Sequence, residues 1–139
     1  WRDWSSDVCS SDLARLLAAE QADGTPDLFL NLLHPDRDDI AVVGLIQPDS
    51  GQWGLTDLQA RLVARMAVAA TASPRAAAWL YTARRRPRRP TIRYVSSDRH
   101  RLEVEHFSYR RELERLIREI DRRLRRDGVG LTAPEAVAG

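Results

Sequence analysis

Residues 39–70 read DIAVVGLIQPDSGQWGLTDLQARLVARMAVAA, and this stretch decides the predicted fold. Residues 40–46 are a nearly continuous apolar run, which is typical of a strand buried on both faces of a parallel sheet. The turn formers at 47–51 end that strand. A helix should follow, with Thr56 and Gln59 forming a Thr-x-x-Gln capping box and Asp57 facing the positive end of the helix dipole. We predict a strand–loop–helix unit, with a ligand site at the carboxyl end of the strand.

The segments on either side of this unit predict further short elements. Residues 28–33 are strand-like and could pair with 40–46 as an antiparallel hairpin. Pro74 is expected at the first position of a helix capped by Ser73, with helix-forming residues over 76–83. The Arg- and Pro-rich residues 84–91 cannot continue that helix, so they are predicted to be an exposed linker. Residues 91–95 are expected to be extended.

Residues 108–126 carry the clearest helical pattern. Apolar side chains recur on one face, namely Leu113, Leu116, Ile117, Ile120 and Leu124. Tyr109 extends that stripe by one turn, and three glutamates can pair with arginines at i+3 or i+4. Gly128 is expected to end the helix.

Composition bounds the class of protein. The chain has 139 residues and 43% hydrophobic residues, enough for one domain. It has no apolar run of about 18 residues, so no membrane-spanning segment is expected. Cys9 is the single cysteine, which fits a cytoplasmic protein without disulfides. His34, His100 and His106 match no usual ligand spacing, so no metal site is predicted.

Charge is unevenly distributed along the chain. Residues 84–126 hold 16 arginines and 7 acidic residues, and the rest holds 6 arginines and 13 acidic residues. Such a basic half could bind nucleic acid or an acidic partner. We favour a salt-bridged helix and a solvated linker, because few aromatic residues lie among the arginines and no known nucleic-acid-binding motif is present.

Residues 1–13, WRDWSSDVCSSDL, resemble the translation of a common sequencing adapter. We therefore leave them out of the fold prediction, and we expect the natural reading frame to continue upstream of Ala14. The alternative is a genuine disordered N-terminus. The segment lacks the basic start and hydrophobic core of a signal peptide.

The pattern V-G-L-I-Q-P at 43–48, the Gly-containing loop with Trp53, and L-Q-A-R-x-x-A-R at 58–65 resemble the C-terminal part of bacterial flavin-containing monooxygenases. Weaker similarity brings the resemblance to about residues 27–120. It implies an α/β fold: a fragment of a Rossmann-like FAD/NAD(P)-binding domain over 14–83 and, after the linker, a helical extension over 92–127 and a flexible tail over 128–139.

The resemblance also implies a function. Such an enzyme uses NADPH to reduce FAD, and a flavin C4a-hydroperoxide inserts one oxygen atom from O2 into a nitrogen, sulfur or ketone substrate. Gly44, Gln47, Thr56 and Gln59 would then contact the flavin ring, and Trp53 would line the substrate or cofactor cavity. The residues themselves also permit purely structural roles: capping for Gln59 and loop packing for Trp53. No catalytic side chain is expected, because the cofactor supplies the chemistry.

Missing motifs limit this expectation. The sequence holds no G-x-G-x-x-G and none of the F-x-G-x-x-x-H signature of that family. We therefore expect the chain alone to be inactive and to bind FAD weakly. Arg84 and its neighbours could contact a 2′-phosphate, although a linker role is favoured. Two other hypotheses remain: a small Arg-rich helical binding module for an acidic partner or nucleic acid, and a subunit that completes another chain's FAD domain.

Overall fold

The computed structural model describes residues 28–85 and 102–130. These residues form two short strands and three helices in the order β1 (Gln47–Pro48), α1 (Trp53–Ala72), α2 (Pro74–Arg84), β2 (Glu103–Val104) and α3 (His106–Arg126). The predictions for 1–13, for 91–95, for most of the 84–91 linker and for the tail beyond 130 lie outside the described residues.

The predicted α/β fold class is wrong. The described part of the chain is mostly helical, and its one sheet has two parallel strands of two residues, with Gln47 opposite Glu103 and Pro48 opposite Val104. No Rossmann-like βαβ unit is evident in it. Strands this short bury little surface, so the core is formed by helices packed on helices.

The apolar run at 40–46 does not form the predicted buried strand. Its pairing is limited to one antiparallel bridge between Ala41 and Leu33, supported by a bond from Val42 N–H to the Leu32 carbonyl at 2.7 Å. Gly44 has φ +91°, which interrupts an extended chain, and Val43 is exposed. A doubly buried strand requires neighbours on both edges, and the described residues do not supply them.

Residues 28–33 form a tight turn instead of a strand. Leu30 and Asn31 both have positive φ, 59° and 51°, and Leu32 N–H bonds to the Phe29 carbonyl at 3.2 Å. Two consecutive residues with positive φ are the mark of a type I′ turn. The predicted hairpin between 28–33 and 40–46 is therefore reduced to the single Leu33–Ala41 bridge.

Helix α1 begins three residues before the predicted cap. Gln52 is the N-cap, and the Thr56 hydroxyl bonds back to the Gln52 carbonyl at 3.2 Å. The predicted Thr56–Gln59 capping box is therefore wrong. Asp57 lies beyond the first turn, where it pairs with Arg61 at 3.8 Å.

The predicted start of α2 is confirmed. Ser73 is its N-cap and accepts a hydrogen bond from Ala76 N–H at 3.1 Å, and Pro74 is the first helical residue. The helix continues to Arg84, whose side chain is buried. The predicted linker therefore cannot begin before Arg85.

Helix α3 is confirmed with small changes at its start. Glu105 is the N-cap and accepts hydrogen bonds from Phe107 N–H at 3.1 Å and Ser108 N–H at 2.8 Å. The whole predicted apolar stripe is buried, as is Tyr109. All three glutamates form the predicted ion pairs: Glu112 with Arg115, Glu114 with Arg118, and Glu119 with both Arg122 and Arg123.

The predicted stop at Gly128 is also confirmed. Gly128 has φ +74° and donates its N–H to the Arg125 carbonyl at 3.1 Å, while Val129 N–H bonds to the Leu124 carbonyl at 2.9 Å. These two bonds are the Schellman pattern, which satisfies the last carbonyls of the helix.

The core lies where α1 and α3 pack together, with α2 against both. Arg65 on α1 joins Asp121 on α3 through two bonds of 2.6 and 3.2 Å. The turn at 28–33 closes the core with Leu30, Leu32 and Leu33. None of the helices in 28–85 and 102–130 has the length and apolarity needed to cross a bilayer.

Candidate functional site

The predicted ligand site falls at one edge of the molecule, which we call the loop edge and define as residues 44–54 plus the first turn of α3. Residues 44–54 contain β1 and lead into α1, while β2 leads directly into α3. The two strands are parallel neighbours, and His106 N–H donates to the Asp49 carboxylate at 3.0 Å. The N-terminal ends of α1 and α3 therefore lie at the same edge.

The two helix starts differ in their electrostatics. At α3, the carboxylates of Asp49 and Glu105 accept hydrogen bonds from the backbone N–H groups of the first turn. Hydrogen bonds from Ser108 hold the pKa of Glu105 below its ordinary value. At α1, no side chain caps the helix and no acidic residue lies in the first turn. The positive end of the α1 dipole is therefore open to an electron-rich ligand group.

Gln47 and Trp53 present exposed side chains at the loop edge. The backbone N–H of Gln47 bonds to the Leu102 carbonyl at 2.9 Å, which fixes the strand position while its side chain remains exposed. Trp53 is the first residue of α1, and its side chain is 88% exposed. A neutral amide donor and a large aromatic ring are thus available to a ligand here.

Gly44, Thr56 and Gln59 take part in internal bonds. Gly44 N–H donates to Gln59 Oε1 at 2.8 Å, and Gln59 Nε2 donates to the Tyr109 hydroxyl at 2.7 Å. Gln59 is fully buried. A ligand that contacted the Gln59 amide would have to displace one of these partners. The Thr56 hydroxyl remains bonded to its own helix.

Sequence reasoning missed three residues of this region. Phe107, in the first turn of α3, is 67% exposed. Gln52 donates its side-chain amide to the Gly44 carbonyl at 3.1 Å. Tyr109 bonds to Gln59 across 50 residues of sequence. No local pattern points to this last contact, because only the packing of α1 against α3 creates it.

A surface groove of about 540 Å³ runs between α1 and α3 and is bordered by Gly54 and His106 at its loop-edge end. Arg61, Arg110 and Arg118 surround Glu114 within it. The hydrogen bond from Arg110 is the main cause of the lowered pKa of Glu114, and the positive charges of the three arginines lower it further. The groove is therefore a salt-bridged surface with largely compensated charge.

The arginines of the described residues are mostly paired with acidic side chains. Arg84 is buried and bonds to Asp38 and to the Arg37 carbonyl, so it is not free to reach a 2′-phosphate. Arg85 pairs with Asp36. Most of the described arginines therefore form ion pairs, as a salt-bridged surface predicts.

The histidines do not converge on a metal site in the described part of the chain. His34 is buried, and its Nδ1 accepts N–H bonds from Asp36 and Arg37, both at 3.0 Å. That nitrogen fixes a turn. His106 lies at the start of α3, and His100 lies outside the described residues.

The donors at the loop edge fit one part of a flavin. Gln47 and the first turn of α1 offer neutral hydrogen-bond donors and a positive dipole end, which suit the ring edge that becomes electron-rich on reduction. A pyrophosphate would need a glycine-rich loop, and the sequence contains no G-x-G-x-x-G. The donor types at the loop edge are therefore those that the edge of a flavin ring would require, whereas the glycine-rich loop that the pyrophosphate of FAD or NADPH would require is missing from the sequence.

Comparisons with known proteins add no assignment. No family model, no curated protein and no solved structure matches this chain. The resemblance to flavin-containing monooxygenases therefore rests on the sequence patterns given above, chiefly those at 43–48 and 58–65.

Proposed function

We propose that this chain is part of an FAD- and NADPH-dependent monooxygenase, and that its loop edge faces the flavin ring. The observation that carries the proposal is the uncapped, acid-free start of α1, which follows the exposed Gln47 within the same segment of the loop edge. The sequence pattern that resembles flavin-containing monooxygenases covers this same segment. The resemblance and the exposed groups at this edge are together the support for the proposal.

Each exposed group of the loop edge has a role in this proposal. Gln47 donates a neutral hydrogen bond to the ring edge, and the α1 dipole stabilises the negative charge there in the reduced state. Trp53 covers one side of the ring or of the substrate and excludes water. The bound flavin supplies the oxygen transfer to a nitrogen, sulfur or ketone substrate, so the protein needs no side-chain nucleophile. A cytoplasmic location belongs to the same proposal.

The remaining cofactor-binding parts must then come from residues that this sequence does not contain. The chain alone is expected to purify without stoichiometric flavin, which visible absorbance would show. Co-purification of one flavin per chain would contradict the proposal, because no pyrophosphate site is encoded.

The positive test uses the protein read from the uninterrupted reading frame upstream of Ala14. That protein should bind FAD and oxidise NADPH. Gln47→Glu should lower the flavin midpoint potential, by about 30 mV for each 1.4 kcal/mol of repulsion with the reduced ring. Thr82→Glu, on the exposed face of α2, adds the same charge outside the loop edge and should leave the potential unchanged. Equal shifts in the two variants would remove Gln47 from the site.

A further inference from the structure

We infer that Tyr109, on the C-terminal helix, is a positioning residue that holds the flavin-facing loop in place through Gln59. The inference rests on the proposed function for its significance, but the hydrogen bonds that carry it stand independently of any cofactor. They form one continuous chain from the core to the loop edge.

We call this chain of hydrogen bonds the relay, and every group in it donates to the next one in the same direction. The Gln52 side chain donates to the Gly44 carbonyl at 3.1 Å, and Gly44 N–H donates to Gln59 Oε1 at 2.8 Å. Gln59 Nε2 donates to the Tyr109 hydroxyl at 2.7 Å, which donates to the Leu30 carbonyl at 2.5 Å. Hydrogen bonds aligned in this way polarise and strengthen one another.

The relay joins parts of the chain that are distant in sequence. The Tyr109–Leu30 bond spans 79 residues, the Tyr109–Gln59 bond 50 and the Gly44–Gln59 bond 15. Tyr109 and Gln59 are both fully buried, where an unmade hydrogen bond is most costly. The conformation of Gly44 therefore depends on a hydroxyl group supplied by α3.

The Leu30 carbonyl, which accepts the hydrogen bond from the Tyr109 hydroxyl, belongs to a turn with an unusual backbone conformation. Leu30 has φ +59°, a conformation that β-carbon-bearing residues adopt at a cost. The turn places the Leu30 carbonyl on the Tyr109 hydroxyl. At the other end, Gln52 is the N-cap of α1 and precedes Trp53. Through Gln52, the relay reaches the first turn of the helix that faces the proposed ligand.

Hydrogen exchange at the Gly44 amide of the full chain, measured by NMR, tests the inference without any cofactor. Tyr109→Phe removes only the hydroxyl, and it should speed Gly44 exchange about fivefold more than exchange at Ser73. The Ser73 N–H, which donates to the Ala69 carbonyl at 3.0 Å at the end of α1, is the internal reference, because none of its partners belongs to the relay or to the turn at 28–33. Ile120→Val, a buried change elsewhere on α3, should affect the two amides equally.

A second variant guards against a Tyr109→Phe protein that does not fold. Gln52 is exposed, so Gln52→Ala should fold normally and speed exchange at Gly44 relative to Ser73 by a smaller factor. Equal exchange changes at Gly44 and Ser73 in the relay variants would overturn the inference and reduce Tyr109 to a packing residue. The flavin proposal would survive that result, because its own test is the midpoint potential of the Gln47 variant.

Discussion

Substitution of Gly44 by alanine probes the loop edge at its most constrained backbone position. Gly44 has φ +91°, and a Cβ built there meets no atom within 4 Å. The cost therefore comes from backbone conformation and not from a clash. An L-residue held in this region of positive φ costs about 1–2 kcal/mol. We expect Gly44→Ala to lower the free energy of unfolding by that amount.

Gly54 supplies the matched control. It lies in the first turn of α1, and a Cβ there also meets nothing within 4 Å, but its φ is not positive. Gly54→Ala should stabilise the protein by about 0.5–1 kcal/mol, because alanine loses less conformational entropy in a helix. The two substitutions add the same methyl group and should have opposite signs.

Urea denaturation followed by circular dichroism measures both changes. With an m-value of about 1–3 kcal/mol per molar urea for a protein of this size, the two midpoints should separate by roughly 1 M. A neutral or stabilising Gly44→Ala would refute the assigned backbone conformation. A change in the m-value would show that the substitution altered more than the strain at one residue.

Three further predictions concern the contacts that hold the helices together. Ser73→Ala removes the buried N-cap of α2 and should lower the free energy of thermal unfolding by about 1–2 kcal/mol. An unchanged unfolding free energy would mean that water replaces the hydroxyl as the hydrogen-bond acceptor. Asp121→Asn leaves the largely buried Arg65 side chain without its charge partner and should lower the free energy of unfolding by about 1–3 kcal/mol. A double-mutant cycle measures the coupling energy of the pair, and a coupling near zero would contradict a structural role for it. The pKa of Glu105 is lowered in the folded state, so its contribution to stability is fully present above its unfolded pKa of about 4.3 and is lost as the pH falls through its folded pKa. Curves of unfolding free energy against pH for Glu105→Gln and for the parent protein should therefore converge at low pH. Parallel curves would contradict this prediction.

Local patterns predicted α3 well because everything that defines it is close in sequence. Its apolar stripe repeats at helical spacing, Gly128 ends it with a backbone conformation that glycine adopts freely, and its ion pairs join residues one turn apart. The Ser73–Pro74 start of α2 is equally local. These elements required no knowledge of the rest of the fold.

The failures involve residues whose partners are remote. The apolar run at 40–46 is consistent with a strand, but strands require neighbours, and Leu33 provides only one bridge. Gln59 fits a capping box by spacing, yet its amide bonds to Gly44 and Tyr109. Gln47 and Trp53, in contrast, lie exposed at the loop edge, and their contact with flavin stays a prediction.

The measurement that tests the central proposal most directly is the genomic sequence across the codon for Leu13. If the chain is part of such a monooxygenase, a longer reading frame should continue into Ala14 and encode two G-x-G-x-x-G motifs, the dinucleotide sites that this chain lacks. A genome that encodes residues 1–13 as they stand, with a start codon just upstream, would contradict it. The chain would then be a small helical protein, and its Arg-rich half would become the first place to look for a function.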